Sequence, residues 1–187
     1  MSSPVPIDEP TDLELIARWK GGDQRAATQL VERHAEAVAR FVGSVGTRVD
    51  VDDVVQDTFA RAFGSLDSFR GESSLRTWLF TIARRLVLDR RRSERRRGGG
   101  TRMHMEVQDA DAVTEYDALD AVVADETEQR MREAVARLTP TQREVFTLRV
   151  GEGLSYKEIA ETVDTTEGAA RVHYHNAMRA VKEFLDE

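Results

Sequence analysis

The chain has 187 residues, enough for one domain or two small ones, and its 40% hydrophobic content supports cores of modest size. It contains no cysteine, which excludes disulfides, cysteine-ligated zinc and thiol redox chemistry within it, and no apolar run approaches the ~18 residues of a membrane span. The formal charge of −7 argues against a protein that simply coats DNA, yet it conceals two opposed blocks: eleven arginines against three acids from Arg70 to Arg102, then ten acids against three arginines from Met103 to Arg137.

Residues 1–10 hold three of the four prolines and are expected to be disordered. They lack the basic and apolar regions of a secretion signal, so a cytoplasmic protein is expected. Thr11 and Glu14 form a capping-box pattern that opens a short helix with Leu13, Ile16 and Ala17 turned inward, and Gly21-Gly22 breaks it. Asp23 then caps a longer helix with Ala27, Leu30, His34, Ala37, Phe41 and Val45 on one face, ending near Gly46. His34 is read as a satisfied, half-buried histidine rather than a ligand, because no second metal-type residue stands one turn away on that face.

From Asp50 to Arg97 the pattern predicts two helices joined by a polar turn. In the first, Val51, Val55, Phe59, Ala62 and Phe63 recur at helical spacing as the buried stripe. Asp50, Asp52 and Asp53 sit at its start, where carboxylates cap free N–H groups and suit the positive end of the helix dipole. With Asp57 they could also ligate magnesium in a phosphoryl-transfer enzyme, but no phosphate-binding glycine loop accompanies them and capping accounts for most of them. The second helix has Ser73 or Ser74 as N-cap and Leu75, Leu79, Ile82 and Leu86 on one line. Opposite them, Arg84, Arg91 and Arg95 form one row and Arg85, Arg92 and Arg96 a second. The preceding turn, Phe69-Arg70-Gly71-Glu72-Ser73-Ser74, supplies an aromatic ring, a glycine and small hydroxyls, and Trp78 follows within about one turn. A loop of this kind beside a cationic helix suits an unstacked base, since single strands are gripped by stacking and by charge. Trp78 is expected to be core with its edge available for contact.

Gly98-Gly99-Gly100 ends the arginine helix, and the acidic stretch that follows is read as a linker to about Ala124. A second domain from Asp125 opens with a helix carrying Met131, Val135 and Leu138. Thr139-Pro140-Thr141-Gln142 starts the next, with Val145, Phe146 and Leu148 apolar and a stop at Gly151-Glu152-Gly153. Ser155 and Glu158 cap a short helix that buries Ile159 and Ala160, and a turn at Asp164-Thr165-Thr166 leads to a last helix with Ala170, Tyr174, Ala177, Val181 and Leu185 inward. Short helix, tight turn and longer helix make a helix-turn-helix, with Thr166, Glu167, Arg171, Val172, His173, His175 and Asn176 on or near the face offered to a major groove. Arg171 suits a guanine edge or a phosphate, Asn176 an adenine and Val172 a thymine methyl.

DDVVQDTFARAF (52–63) followed by FRGESSLRTWLFTIARRLVLDRRR (69–92) resembles region 2 of the bacterial sigma factors, most closely the extracytoplasmic-function branch of the sigma-70 superfamily. Residues 138–181 resemble sigma region 4. The resemblance implies an alternative sigma factor without catalysis or cofactor, acting on bacterial core RNA polymerase and promoter DNA. It implies polymerase contacts at Asp52, Asp53, Val54, Val55, Gln56, Asp57 and Phe59. Minus-ten contacts are implied at Phe69, Arg70, Ser73, Ser74, Arg76, Trp78, Arg84, Arg85, Arg91 and Arg92, and minus-thirty-five contacts on the last helix. The acidic linker would thread a basic channel of the polymerase, and a separate anti-sigma factor is implied because the N-terminus is too short for the autoinhibitory region of housekeeping members. The chain departs from the family where His173, Asn176 and Met178 stand at frequent arginine positions and Arg85 at a frequent asparagine. A weaker phosphate grip follows, and an open base preference.

The expected fold is all-α, with a four-helix domain at 11–97, a flexible acidic linker at 98–124 and a helix-turn-helix domain at 125–187. A regulator of the LuxR type is the rival, since its helix-turn-helix resembles 138–181 nearly as well. Such regulators usually carry an α/β domain in front, whereas the front here reads as all-helical.

Overall fold

The structure, a computed structural model, describes residues 9–45, 50–97 and 120–187, and over these it contains α-helices and no strands. The first bundle is α1 (Asp12–Lys20), α2 (Gln24–Val45), α3 (Val51–Gly64) and α4 (Leu75–Arg97), with a 3-10 turn at Leu66–Ser68. The second is α5 (Asp120–Ala136), α6 (Pro140–Phe146), α7 (Tyr156–Val163) and α8 (Glu167–Leu185), with a π turn at Thr147–Gly151 after α6. The disorder expected at residues 1–8 and the linker expected at 98–119 lie outside the described residues. Helix α5 runs from Asp120, within the last residues of the stretch read as linker.

Local chemistry sets the helix starts. Capping boxes form at Thr11 with Glu14, at Thr139 with Gln142 and at Ser155 with Glu158, each meeting two otherwise orphaned N–H groups. Asp50 caps α3 by accepting from the N–H of Asp53, and Ser74 Oγ accepts from the N–H of Thr77 at 3.1 Å to start α4.

The inward stripes differ from the sequence reading by about one residue wherever a helix touches two neighbours. On α1, Leu15 and Ile16 are buried while Leu13 is 63% exposed and Ala17 also faces solvent. Trp19 packs on Phe63 with centroids 5.3 Å apart. On α3, which lies between α2 and α4, Val54 and Thr58 are fully buried, and Val51, Val55 and Phe63 are half-buried. Thr58 donates its hydroxyl to the Val54 carbonyl at 2.7 Å, which satisfies it in the core. Ala26 rather than Ala27 is buried on α2.

Helix α4 shows the largest departure. It buries Leu75, Leu79 and Leu86 as expected and also Phe80, Ala83 and Val87, because α3 and α2 pack on one side and α7 on the other. The two bundles therefore dock, and one core runs from Phe41 and Phe80 through Val145, Leu148, Ile159 and Val163. A smaller cluster of Ala134, Leu138, Phe146, Ala177 and Val181 ties α5 and α6 to α8.

His34 is buried, as read from the sequence, with Nε2 2.8 Å from Asp12 Oδ2. Arg33 donates to the other Asp12 oxygen at 2.8 Å, so this carboxylate clips α1 onto α2. Burial alone would raise the Asp12 carboxyl, but the bonds from His34 and Arg33 outweigh it and hold it below the ordinary value.

Phe80 sits at 0% exposure against Phe41, with centroids 5.2 Å apart. Phe80→Ala is expected to cost about 3–5 kcal/mol, read from the urea-unfolding midpoint and slope of the full chain.

Candidate nucleic-acid interface

The turn before α4 builds a cleft. Gly71 adopts φ +70°, a left-handed conformation that side chains rarely tolerate, and so reverses the chain between Phe69 and the Ser74 cap. Phe69 and Trp78 stand with ring centroids 5.2 Å apart and planes tilted by 44°. Both are half-buried, so each is part core and part surface. Phe69, Gly71, Ser73 and Ser74 form one wall of a cleft of about 410 Å³, and Thr11, Leu13 and Arg33 form another. Sequence reasoning missed that second wall. The sequence carried no signal for it, since Leu13 reads there as part of the inward stripe and is 63% exposed in the structure.

An aromatic ring, small hydroxyls and the ion pair of Arg33 with Asp12 surround a space that can hold a flat heterocycle. Arg70 is exposed at its rim, and Arg85 and Arg92 are exposed further along α4.

Of the row Arg84, Arg91 and Arg95, the first two are partly buried and engaged within the protein, while Arg95 is exposed. Arg84 Nε donates to Glu144 Oε2 on α6 at 2.8 Å, with side-chain exposures of 19% and 6%. Arg76 pairs with Glu152 just after the π turn, and its buried Nε lacks a protein partner. Arg40 of α2 reaches the other Glu152 oxygen at 3.1 Å. Arg91 donates to the Val45 carbonyl at the end of α2. Desolvation lowers the Arg143 guanidinium, and so does the nearby charge of Arg91. Along α4, Arg76, Arg84 and Arg91 are engaged within the protein, and Arg85, Arg92, Arg95 and Arg96 are exposed.

A third carboxylate joins the contact. Thr77 donates its hydroxyl to Glu158 Oε1 at 3.1 Å, tying α4 to the start of α7. Burial would raise the Glu158 carboxyl, but the Ser155 amide and hydroxyl and the Thr77 and Ser74 hydroxyls outweigh it and lower it. The sequence reading treated Glu158 only as a cap and left Glu144 and Glu152 unused. Glu144 did carry a signal, because it falls one helical turn before Leu148 and beside Val145, both fully buried.

On α3, Asp52, Asp53, Gln56 and Asp57 form an exposed polar strip. Arg90 of α4 approaches it, with Nη2 2.8 Å from Asp57 and Nη1 4.0 Å from Asp53. Two residues expected as partner contacts there are corrected. Val54 is 0% and Phe59 7% exposed, so both pack the core, and Val55 is half-buried between. The apolar stripe faces α2 and α4 rather than a partner.

In the second bundle, α7 ends at Asp164, whose φ of 57° is the left-handed turn between the two helices of the helix-turn-helix. Thr166 caps α8 through the N–H of Ala169, and that use of its hydroxyl keeps it at the helix start. Arg171 is exposed, bonded to Glu167 Oε1 at 2.6 Å, and lies 4.9 Å over the Tyr156 ring, as Arg149 also does. Val172 is 59% exposed, His175 is exposed and His173 and Asn176 are half-exposed. These residues share one outer face of α8. Among the described residues no group of three or more metal-ligating side chains forms.

The description Sigma-70 region 2 matches residues 30–97, and Sigma-70, region 4 matches residues 128–181. The ECF RNA polymerase sigma-E factor of Haemophilus influenzae is 32% identical over 177 residues, covering 92% of this chain and 94% of that protein. The Escherichia coli protein of the same name is 33% identical over 178 residues, covering 91% and 92%. Among solved structures, the sigma factor RpoE in complex with the anti-sigma factor NepR from Bartonella quintana superposes with a TM-score of 0.66 at 26% identity, covering 85% of this chain and 96% of that one. CnrH in complex with the cytosolic domain of CnrY gives a TM-score of 0.66 at 30% identity, covering 94% and 97%.

The Glu158 carboxyl lies below its ordinary 4.5, so its contribution is present above that value and is lost as pH falls through the lower folded one. Glu158→Gln is expected to flatten the acid side of the curve of unfolding midpoint against pH, measured by circular dichroism in urea.

Proposed function

The chain belongs to the sigma-70 family of RNA polymerase sigma factors, in its extracytoplasmic-function branch, and is a non-enzymatic alternative sigma factor that directs transcription initiation; we propose that three separate faces divide this work. The matches to region 2 and region 4, in that order along the chain, carry this reading. They also disfavour the LuxR-type alternative, whose likeness extends only to the C-terminal half.

The polar strip of α3, Asp52, Asp53, Gln56 and Asp57, docks on core RNA polymerase, with Val55 at its edge. Its support is exposure: four side chains in a row stand clear of the core. Val54 and Phe59 hold the helix in place from beneath and are not themselves contacts.

The cleft at Phe69, Ser73 and Ser74, with Trp78 packed against Phe69, receives a base of the minus-ten element, and Arg70, Arg85 and Arg92 follow the backbone of the separated strand. The supports are the tilted aromatic pair, the cleft beside it and the exposed outer row of arginines. Arg76, Arg84 and Arg91 belong to the same basic face but stand paired within the protein. The outer face of α8 reads the minus-thirty-five element, with Arg171 set in position by Glu167 and Tyr156, and with Val172, His173, His175 and Asn176 around it.

An anti-sigma protein is the further partner, on the strength of the two solved relatives whose structures contain one. A cytoplasmic location fits a factor that works on polymerase, and no helix among the described residues is long and apolar enough to cross a membrane.

Charge reversal at Asp53 and Asp57 is expected to abolish binding to core polymerase while leaving the circular-dichroism spectrum unchanged; tight binding by the folded double variant would remove the docking assignment. Arg171→Ala is expected to weaken binding to the upstream element by ~1–3 kcal/mol if the arginine reads a base, measured by fluorescence anisotropy on matched and mismatched duplexes. Equal losses on every duplex would instead make it a phosphate contact.

A further inference from the structure

Asp12 stands in the wall of the cleft that Thr11, Leu13 and Arg33 also form. Its Oδ1 accepts from Arg33 Nη1 at 2.8 Å and its Oδ2 lies 2.8 Å from His34 Nε2. Burial works against the charge, but the bonds from His34 and Arg33 outweigh it and keep the group ionised. An ionised carboxylate only accepts, and it has about four lone-pair positions. Arg33 and His34 take one each and are its bonded partners among the described residues. The side chain keeps 25% of its surface exposed, so the remaining positions are left for a group inside the cleft.

The other polar side chains around the cleft are committed or indifferent. The Thr11 hydroxyl donates to Glu14 and accepts from its N–H, and the Ser74 hydroxyl is bonded to Thr77. Arg33 donates to Asp12 and to the Pro10 carbonyl. Ser73 is half-exposed, and a hydroxyl donates or accepts alike, so it does not tell one base from another. Asp12 alone among these side chains keeps a free demand of one sign.

We propose, resting on the sigma-factor reading, that Asp12 determines specificity in the minus-ten cleft by accepting from the exocyclic amino group of the base held there, so that cytosine, adenine or guanine is preferred to thymine at that position. An aspartate accepts from the cytosine amino group in the same way at a duplex edge. Thymine has no amino group, and its one ring N–H lies between two carbonyl oxygens that a carboxylate repels. The pairing also favours a base over a phosphate on this wall, because the Arg33 charge is already matched by Asp12, whereas Arg70 stands exposed at the rim for the backbone.

The test uses the full chain with bacterial core polymerase. A promoter library randomised across the downstream element is transcribed, each promoter being identified by a barcode in its transcript. With the native chain, one position of the separated strand is expected to show thymine depleted about tenfold against the three amino-bearing bases, the size of one hydrogen bond to a charged group. Asp12→Asn, which can also donate, is expected to abolish that depletion and to leave the other positions unchanged. Glu32→Gln removes a charge from an exposed site off the cleft and is expected to keep the depletion. Because Asp12 also clips α1 to α2, a second arm leaves the protein native. The base at the depleted position is replaced by its analogue without the amino group, pyrimidinone for cytosine, purine for adenine or hypoxanthine for guanine, and open-complex formation is expected to fall about tenfold. The proposal is overturned if no position is depleted of thymine, if the analogue forms open complexes as well as the natural base, or if Asp12→Asn initiates with the depletion intact. Should Asp12→Asn fail to initiate at all, the analogue arm decides. Failure of the sigma-factor reading would appear separately, as an absence of chain-dependent initiation from every promoter.

Discussion

A carboxylate buried at a protein interface has to meet a cation, and that requirement organises this molecule. Glu144 and Glu152 are almost sealed from water, and unpaired each would cost several kcal/mol. Arg84, Arg76 and Arg40 answer them from the first bundle. The pairing fixes how α6 and α7 sit on α2 and α4, and the apolar contacts of Val145, Leu148 and Ile159 follow from that register. The fold of each bundle is local, whereas their placement against each other is electrostatic in its detail.

The same pairing gives α4 two functions on opposite sides of one helix. Its inner arginines bind the second bundle and its outer arginines face solvent, while its apolar seam holds both in place. The contact between the bundles combines these ion pairs with an apolar core shared by Phe41, Phe80, Val145, Leu148 and Ile159.

Much of this was legible in the sequence for identifiable reasons. Helix starts were readable because capping is local chemistry: Thr11, Asp50, Thr139 and Ser155 all act at the position where their type and spacing placed them. The ordered motifs of the two family regions were readable because they are continuous strings. The stripes shifted on α1 and α3 because periodicity finds an apolar face but cannot say how many neighbours share it. Val54 was left off the stripe for that reason, while Phe59 was on it and is buried. Docking of the bundles was not legible: the place of Glu144 on the apolar face of α6 hints at burial, but its partner Arg84 and the Arg76 partner of Glu152 lie 60 and 76 residues away. Long-range pairing of opposite charges leaves no local pattern. The wall that Thr11, Leu13 and Arg33 add to the cleft was hidden for the same cause.

The most direct test of the account is reconstituted transcription by bacterial core polymerase across a library of randomised promoters, with and without this chain. Initiation is expected only when the chain is present, from templates sharing one upstream and one downstream element at a fixed spacing. An identical set of transcripts in both reactions would contradict it.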